Sequence, residues 1–67
     1  MKFKYDKETD ILVITLLEEK PDFGEQSGDI ITHYNKDGKP IEIEILNASE
    51  NALNIIKPIL QAKKAVA

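Results

Sequence analysis

Polar and apolar residues alternate along most of this chain, and the period changes only near its C-terminal end. Lys2-Phe3-Lys4-Tyr5 alternates with a period of two and predicts a short strand with Phe3 and Tyr5 on one face. Asp6 to Asp10 is a polar break of turn-forming residues. From Ile11 to Leu17 only Thr15 is polar, and β-branched residues dominate. That segment predicts an interior strand with Leu12, Ile14 and Leu16 on one face and Ile11, Val13 and Leu17 on the other. Glu18 to Gly28 carries Pro21, Gly24 and Gly28 among acids and reads as a surface loop, with an irregular edge strand around Phe23 left open. Asp29–Tyr34 and Pro40–Leu46 are the remaining strands, and Ile41, Ile43 and Ile45 alternate with Glu42 and Glu44 in the latter.

Asp37-Gly38 lies between these two strands and is a strong hairpin signal, because a type I′ turn needs positive φ at both central residues. With a two-residue loop, Tyr34 opposes Ile41, Thr32 opposes Ile43 and Ile30 opposes Ile45. Ile31 and His33 then fall on the other face, opposite Glu44 and Glu42. A three-residue loop with a bulge would shift that register. After Leu46 the period changes. Ala52, Leu53, Ile55, Ile56, Ile59 and Leu60 form one stripe at 100° per residue, with polar residues and Pro58 opposite. Asn47, with Glu50 three residues on, or Ser49 is the expected cap. The predicted architecture is α+β: a four-stranded antiparallel β-meander over 1–46, then one helix packed on one face over 47–64. A kink is expected near Pro58, and a frayed tail over 65–67. Residues 1–67 make a single domain.

Composition narrows the function classes. The chain has 67 residues, 42% hydrophobic and 31% charged, in the range of globular proteins. A chain this short buries only about 60% of the surface its unfolded form exposes. It has no cysteine, which excludes disulfides, iron–sulfur clusters, cysteine-type zinc sites and thiol catalysis. It has one histidine, so a transition-metal site would be almost wholly carboxylate, and neither a metal nor a cofactor is expected. All nine basic residues are lysines, against twelve acids, for a net charge of −3. Without arginine for bidentate phosphate contacts, nucleic acid is not an expected partner. No apolar run approaches the roughly 20 residues of a membrane span, and the N-terminus lacks a signal-peptide pattern, so cytoplasmic residence and no membrane partner are expected.

Candidate chemistry is sparse. Asp6, Glu8 and Asp10 alternate like the start of a calcium loop, but Ile11 and Leu17 occupy the positions that need Gly and Glu. Asp and Thr bonding their own turn is the expectation there. Glu42 and Glu44 are paired carboxylates on one strand face, and His33 opposes Glu42. Such a group could act as acid, base or pH switch, although a solvated cross-strand set is the expected arrangement. Ser49 has no base at a recognisable spacing. The three glycines, at 24, 28 and 38, match no phosphate-binding pattern.

Tyr5-Asp6-x-Glu8-x-Asp10-x-Leu12-x-Ile14-x-Leu16, then Gly28-x-Ile30, Tyr34-x-x-Asp37-Gly38 and Ile43-Glu44-Ile45-Leu46-x-Ala48-Ser49, occur in this order. Over residues 3–49 the chain resembles the YuzE-like family of short prokaryotic proteins, domain-of-unknown-function family 2283. It departs from that pattern at Glu42, often Gly, at His33, often an acid, and in its extended helix. The resemblance implies a small antiparallel sheet packed by a helix and no established activity. The resemblance also makes an antitoxin-like partnership one expectation, because some members of that family lie beside small toxin-like genes. From the residues themselves, the leading expectation is a non-enzymatic protein–protein interaction module. The alternative is a small ligand-binding or hydrolytic domain using His33, Glu42 and Glu44. One helix covers one sheet face, so Ile11, Val13 and Leu17, with Ile31, are the expected homodimer interface. The competing arrangement folds Phe23 of the 18–28 loop across that face and needs no partner.

Overall fold

A computed structural model describes residues 1–54, 58 and 59. They form five strands, β1 (Lys2–Asp6), β2 (Ile11–Thr15), β3 (Phe23–Ser27), β4 (Ile30–Tyr34) and β5 (Pro40–Ile45), followed by helix α1 over residues 48–54. Residues 58 and 59 are also helical. The class is α+β, as expected, but the sheet is not a four-stranded meander. Its order is β1-β2-β5-β4-β3, with every neighbouring pair antiparallel.

Two differences from the expected topology have separate causes. First, Phe23–Ser27 is a regular edge strand rather than loop. It pairs along its whole length with β4, from Phe23 opposite Tyr34 to Ser27 opposite Ile30. The two residues between them, Gly28 and Asp29, make the turn, with Gly28 at φ +57°. Phe23 stacks on Tyr34 at 5.0 Å between ring centroids. It therefore extends the sheet at its edge instead of folding across a face. Second, β5 inserts between β2 and β4, pairing with both. This makes β5 the middle strand of the five, while the Ile11–Leu17 segment is interior as expected, paired with β1 and β5.

The β4–β5 register agrees with the sequence over most of its length. Ile30 opposes Ile45, Ile31 opposes Glu44, Thr32 opposes Ile43 and His33 opposes Glu42. The turn is different. Asn35 and Lys39 close a three-residue loop, with the Lys39 carbonyl accepting from the Asn35 amide at 2.9 Å and the Asn35 carbonyl accepting from the Gly38 amide at 3.0 Å. Gly38 has φ +80°, whereas Asp37 is absent from the residues with positive φ, so this is not a type I′ turn. A three-residue loop puts Tyr34 opposite Pro40, not Ile41. Ile41 is the extra residue of a bulge that restores the expected register from His33 onward. The bulge turns the Ile41 side chain inward, where only 1% of it is exposed. Its carbonyl accepts two amides of the neighbouring segment, from Leu16 at 2.8 Å and Leu17 at 3.1 Å.

The start of α1 is held by two aspartates from distant turns. The Asp10 carbonyl accepts from the Ala48 amide at 2.9 Å, and its carboxylate accepts from the Ser49 amide at 3.1 Å and the Ser49 hydroxyl at 2.7 Å. On the other side, the Asp29 carbonyl accepts from the Leu46 amide at 2.7 Å, and its carboxylate accepts from the Asn51 amide nitrogen at 3.3 Å. Asn47 sits at φ +49°. The expected Asn47–Glu50 box and the rival Ser49 cap are thus replaced by a carboxylate 39 positions away, and the Ser49 hydroxyl donates rather than caps. Among the described stripe residues, Leu53 and Ile59 are each 61% exposed and Ala52 is exposed, so these positions do not pack on the sheet. The residues leading into Pro58, on which the expected kink depends, the expected burial of Ile56 and the expected frayed tail lie outside the described residues.

Candidate functional site

The pairing places side chains in two contrasting faces, since alternate residues of a strand point to opposite sides. One face carries Phe3, Ile14, Ile43 and Thr32 in one row and Tyr5, Leu12, Ile45 and Ile30 in the next. Phe23 and Tyr34 continue it toward the β3 edge. The opposite face carries Lys2, Thr15, Glu42, His33 and Gly24 in one row and Lys4, Val13, Glu44, Ile31 and Gln26 in the next. One face is therefore mostly apolar, with Glu25 and Ser27 at its β3 edge, and the other is charged.

On the charged face the structure joins His33, Glu42 and Glu44. The imidazole Nε2 lies 2.5 Å from Glu44 Oε1 and 4.0 Å from Glu42 Oε2. Their side chains are only 25%, 34% and 28% exposed. The central position of β5 explains this, because both glutamates have a strand on either side. The set is thus the cross-strand arrangement expected, but partly buried. Gly24 lies beside the ring. A Cβ at that position would meet His33 Nδ1 at 3.2 Å and Cε1 at 3.6 Å, so glycine leaves space for the imidazole. A shallow groove lined by Lys4, Asp6, Thr9, Ile11, Val13 and Glu44 adjoins the cluster.

The other sequence candidates have structural places. Asp6 Oδ1 accepts from the Glu8 amide at 3.0 Å, the local turn bond expected instead of calcium ligation. Asp10, at φ +55°, also accepts from the Tyr5 hydroxyl at 2.5 Å. The Tyr5 bond first, and the Ser49 bonds next, hold the Asp10 carboxyl below the usual aspartate range. The same bond, with the nearby Asp10 and Asp6 charges, raises the Tyr5 hydroxyl. Ile11, Val13 and Ile31 are half-buried on the charged face, with Glu44 between Val13 and Ile31, and half-buried Leu17 lies past the end of β2.

Asp10 has a pH consequence. A carboxyl lowered by folding stabilises the fold at pH values above its unfolded value, about 3.9. That contribution is lost as pH falls through the lower folded value. Urea midpoints measured from neutral pH downward should fall in acid, and Asp10→Asn should flatten this fall while lowering the midpoint at pH 7. An unaltered acid limb in the variant would exclude Asp10 as the titrating group.

Sequence reasoning missed the Asp10 and Asp29 clamp, for which no local signal exists, and left the β3 strand open, although Gly28-Asp29 was an available hairpin signal. Together the fold and its two faces define a small five-stranded antiparallel sheet protein with a carboxylate–imidazole cluster opposite an apolar surface. The chain belongs to the DUF2283 family, proteins of unknown function, whose profile matches residues 2–49. No curated protein and no solved structure matches it. Among the described residues, no helix is long and apolar enough to cross a membrane.

Proposed function

We propose that this protein is a non-enzymatic interaction module whose apolar sheet face binds a second copy of the chain. The observation that carries the reading is the exposure of that face. Phe3 is 64% exposed, Tyr5 49%, Ile30 47% and Phe23 44%. At roughly 200 Å² for each full side chain, these four leave on the order of 400 Å² open. Half-buried Leu12, Ile14, Ile43, Ile45 and Tyr34 lie between them and extend the surface toward the ~800 Å² each partner gives to a standard interface. Among the described residues only Ile41 and Ala48 are buried apolar residues, a small core for an unaided fold.

Charge favours a second copy as the occupant. Each chain carries −3, which opposes self-association in general. The glutamates of β5 and the lysines of β1 lie on the other face, however, and among the strand residues of this face only Glu25, on edge strand β3, is charged, so two such faces meet with little like-charge contact. A two-fold axis makes one such patch its own complement. This reading moves the self-association expected for Ile11, Val13, Leu17 and Ile31 to the opposite side of the sheet. Cytoplasmic residence is part of the same proposal.

Sedimentation across a concentration series tests it. The expected result is a species of twice 7.6 kDa that dissociates on dilution. Ile30→Glu should give monomer, while Ile31→Glu, on the charged face, should leave the dimer intact. Monomer at every concentration would overturn the proposal, as would dissociation by the Ile31 variant alone. Stoichiometric recovery of a different small protein on this face in place of the second copy would overturn it too.

A further inference from the structure

We infer that His33, Glu42 and Glu44 form a binding site for a divalent first-row transition-metal ion such as zinc. The three residues offer one nitrogen and two carboxylate oxygens, all within 4.8 Å of one another. Tetrahedral coordination at about 2.1 Å separates ligand atoms by about 3.4 Å. The Nε2–Glu44 and Nε2–Glu42 distances of 2.5 Å and 4.0 Å bracket that value. Small side-chain rotations would equalise them, with no change in the strands.

Three features separate this cluster from an ordinary acidic surface. Its donors come from two adjacent strands in fixed register, His33 opposite Glu42 with Glu44 one pleat further along. The register thus places the ligands before any ion arrives, which lowers the ordering cost of binding. Next, Gly24 leaves room beside the Nδ1–Cε1 edge of the imidazole, and Nε2 points at the carboxylates. Finally, among the described residues neither glutamate has a lysine within salt-bridge distance, and the one lysine in such a pair on this side, Lys2, is engaged with Glu18. Two carboxylates therefore face the same imidazole, with no fixed cation among the described residues.

Binding exchanges partners at one atom. The Nε2 lone pair bonds the ion, the ring carries its proton on Nδ1, and the hydrogen bond between Nε2 and Glu44 is given up. Glu42 and Glu44 each supply one oxygen, and the remaining positions of the ion are left to water or to a partner's donor group. One nitrogen and two oxygens, with no sulfur, suit zinc, cobalt and manganese, and the usual affinity order puts zinc above manganese. Magnesium and calcium prefer more oxygen donors than the site provides.

Isothermal titration of the full chain with zinc chloride tests this, with cobalt(II) absorption as a spectroscopic readout of the geometry. One zinc per chain is expected, with His33→Ala weakening affinity at least tenfold. The isosteric Glu42→Gln and Glu44→Gln should each weaken it several-fold. Gly24→Ala should weaken it less, by displacing the ring. Glu25→Gln, one strand away on the apolar face, should not alter it. Circular dichroism of each variant separates lost ligation from lost folding, and the two glutamine variants keep the size and shape of the side chain. No zinc binding by the wild-type chain would overturn the inference. Affinity unchanged by His33→Ala, or one zinc for every two chains, would also do so. These outcomes are independent of the apolar face, since Ile30→Glu monomers should bind zinc as the wild type does.

Discussion

Ile41→Ala is expected to remove about 2–5 kcal/mol, a range set by transfer of the lost methyl and methylene groups and by the cavity they leave. The upper half of that range approaches the whole stability of a small domain. The size of the effect follows from position. Ile41 is 1% exposed and is the single fully buried large side chain among the described residues. Its strand lies between β2 and β4, and its carbonyl accepts hydrogen bonds from the Leu16 and Leu17 amides just past β2, so collapse into the cavity would strain the sheet around it. Ile43→Ala, at a half-buried position two residues on, serves as the comparison and should cost less. Urea denaturation at neutral pH measures both. A loss below about 0.5 kcal/mol for Ile41→Ala would place it with surface substitutions and contradict its position in the core.

The second large effect is expected at Asn35, the one buried polar residue among those described. Its side-chain oxygen accepts from the Asp37 amide at 3.0 Å and the Lys39 amide at 2.9 Å, and its nitrogen donates to Glu19 Oε1 at 3.0 Å. One side chain therefore satisfies the hairpin loop and ties it to the β2–β3 connection. Asn35→Ala should cost about 1–3 kcal/mol by leaving loop amides without their acceptor. Asn35→Asp separates the two functions. It keeps an acceptor for both amides but sets a second carboxylate against Glu19. Its stability should be recovered in part by Glu19→Gln, whose amide can donate to the new carboxylate. Additive effects in that double-mutant cycle would show that the two side chains do not interact.

Much of this fold was legible locally. The Ile41–Ile43–Ile45 alternation located β5, and counting outward from Asp37-Gly38 put Ile30 beside Ile45 and His33 against Glu42. That agreement came through two compensating differences, a longer loop and a bulge, neither of which changes the hydrophobic pattern downstream. The strand order was not legible, because pairing β2 with β4 or with β5 buries the same kinds of residue. Phe23–Ser27 hid because a solvated edge strand needs no alternation: Gly24, Glu25, Gln26 and Ser27 carry none. The His33–Glu42 neighbourhood was readable, but the shorter contact is to Glu44, a diagonal set by the twist of the strands. The cap of α1 lay furthest from reach, since no window of sequence contains both Asp10 and Ser49.

The central place of β5 also decides how this protein bears load. Whatever is attached beyond residue 48 pulls on the strand with a hydrogen-bonded neighbour on each side, not on an edge strand. Tension along β5 must shear two ladders together, whereas tension on β1 opens one. Before it reaches either ladder it meets the Asp10 and Asp29 contacts at the start of α1. The C-terminal end is thus the mechanically resistant attachment point, and a tether or fusion there should disturb the sheet less than one at Lys2, where β1 can be peeled away alone.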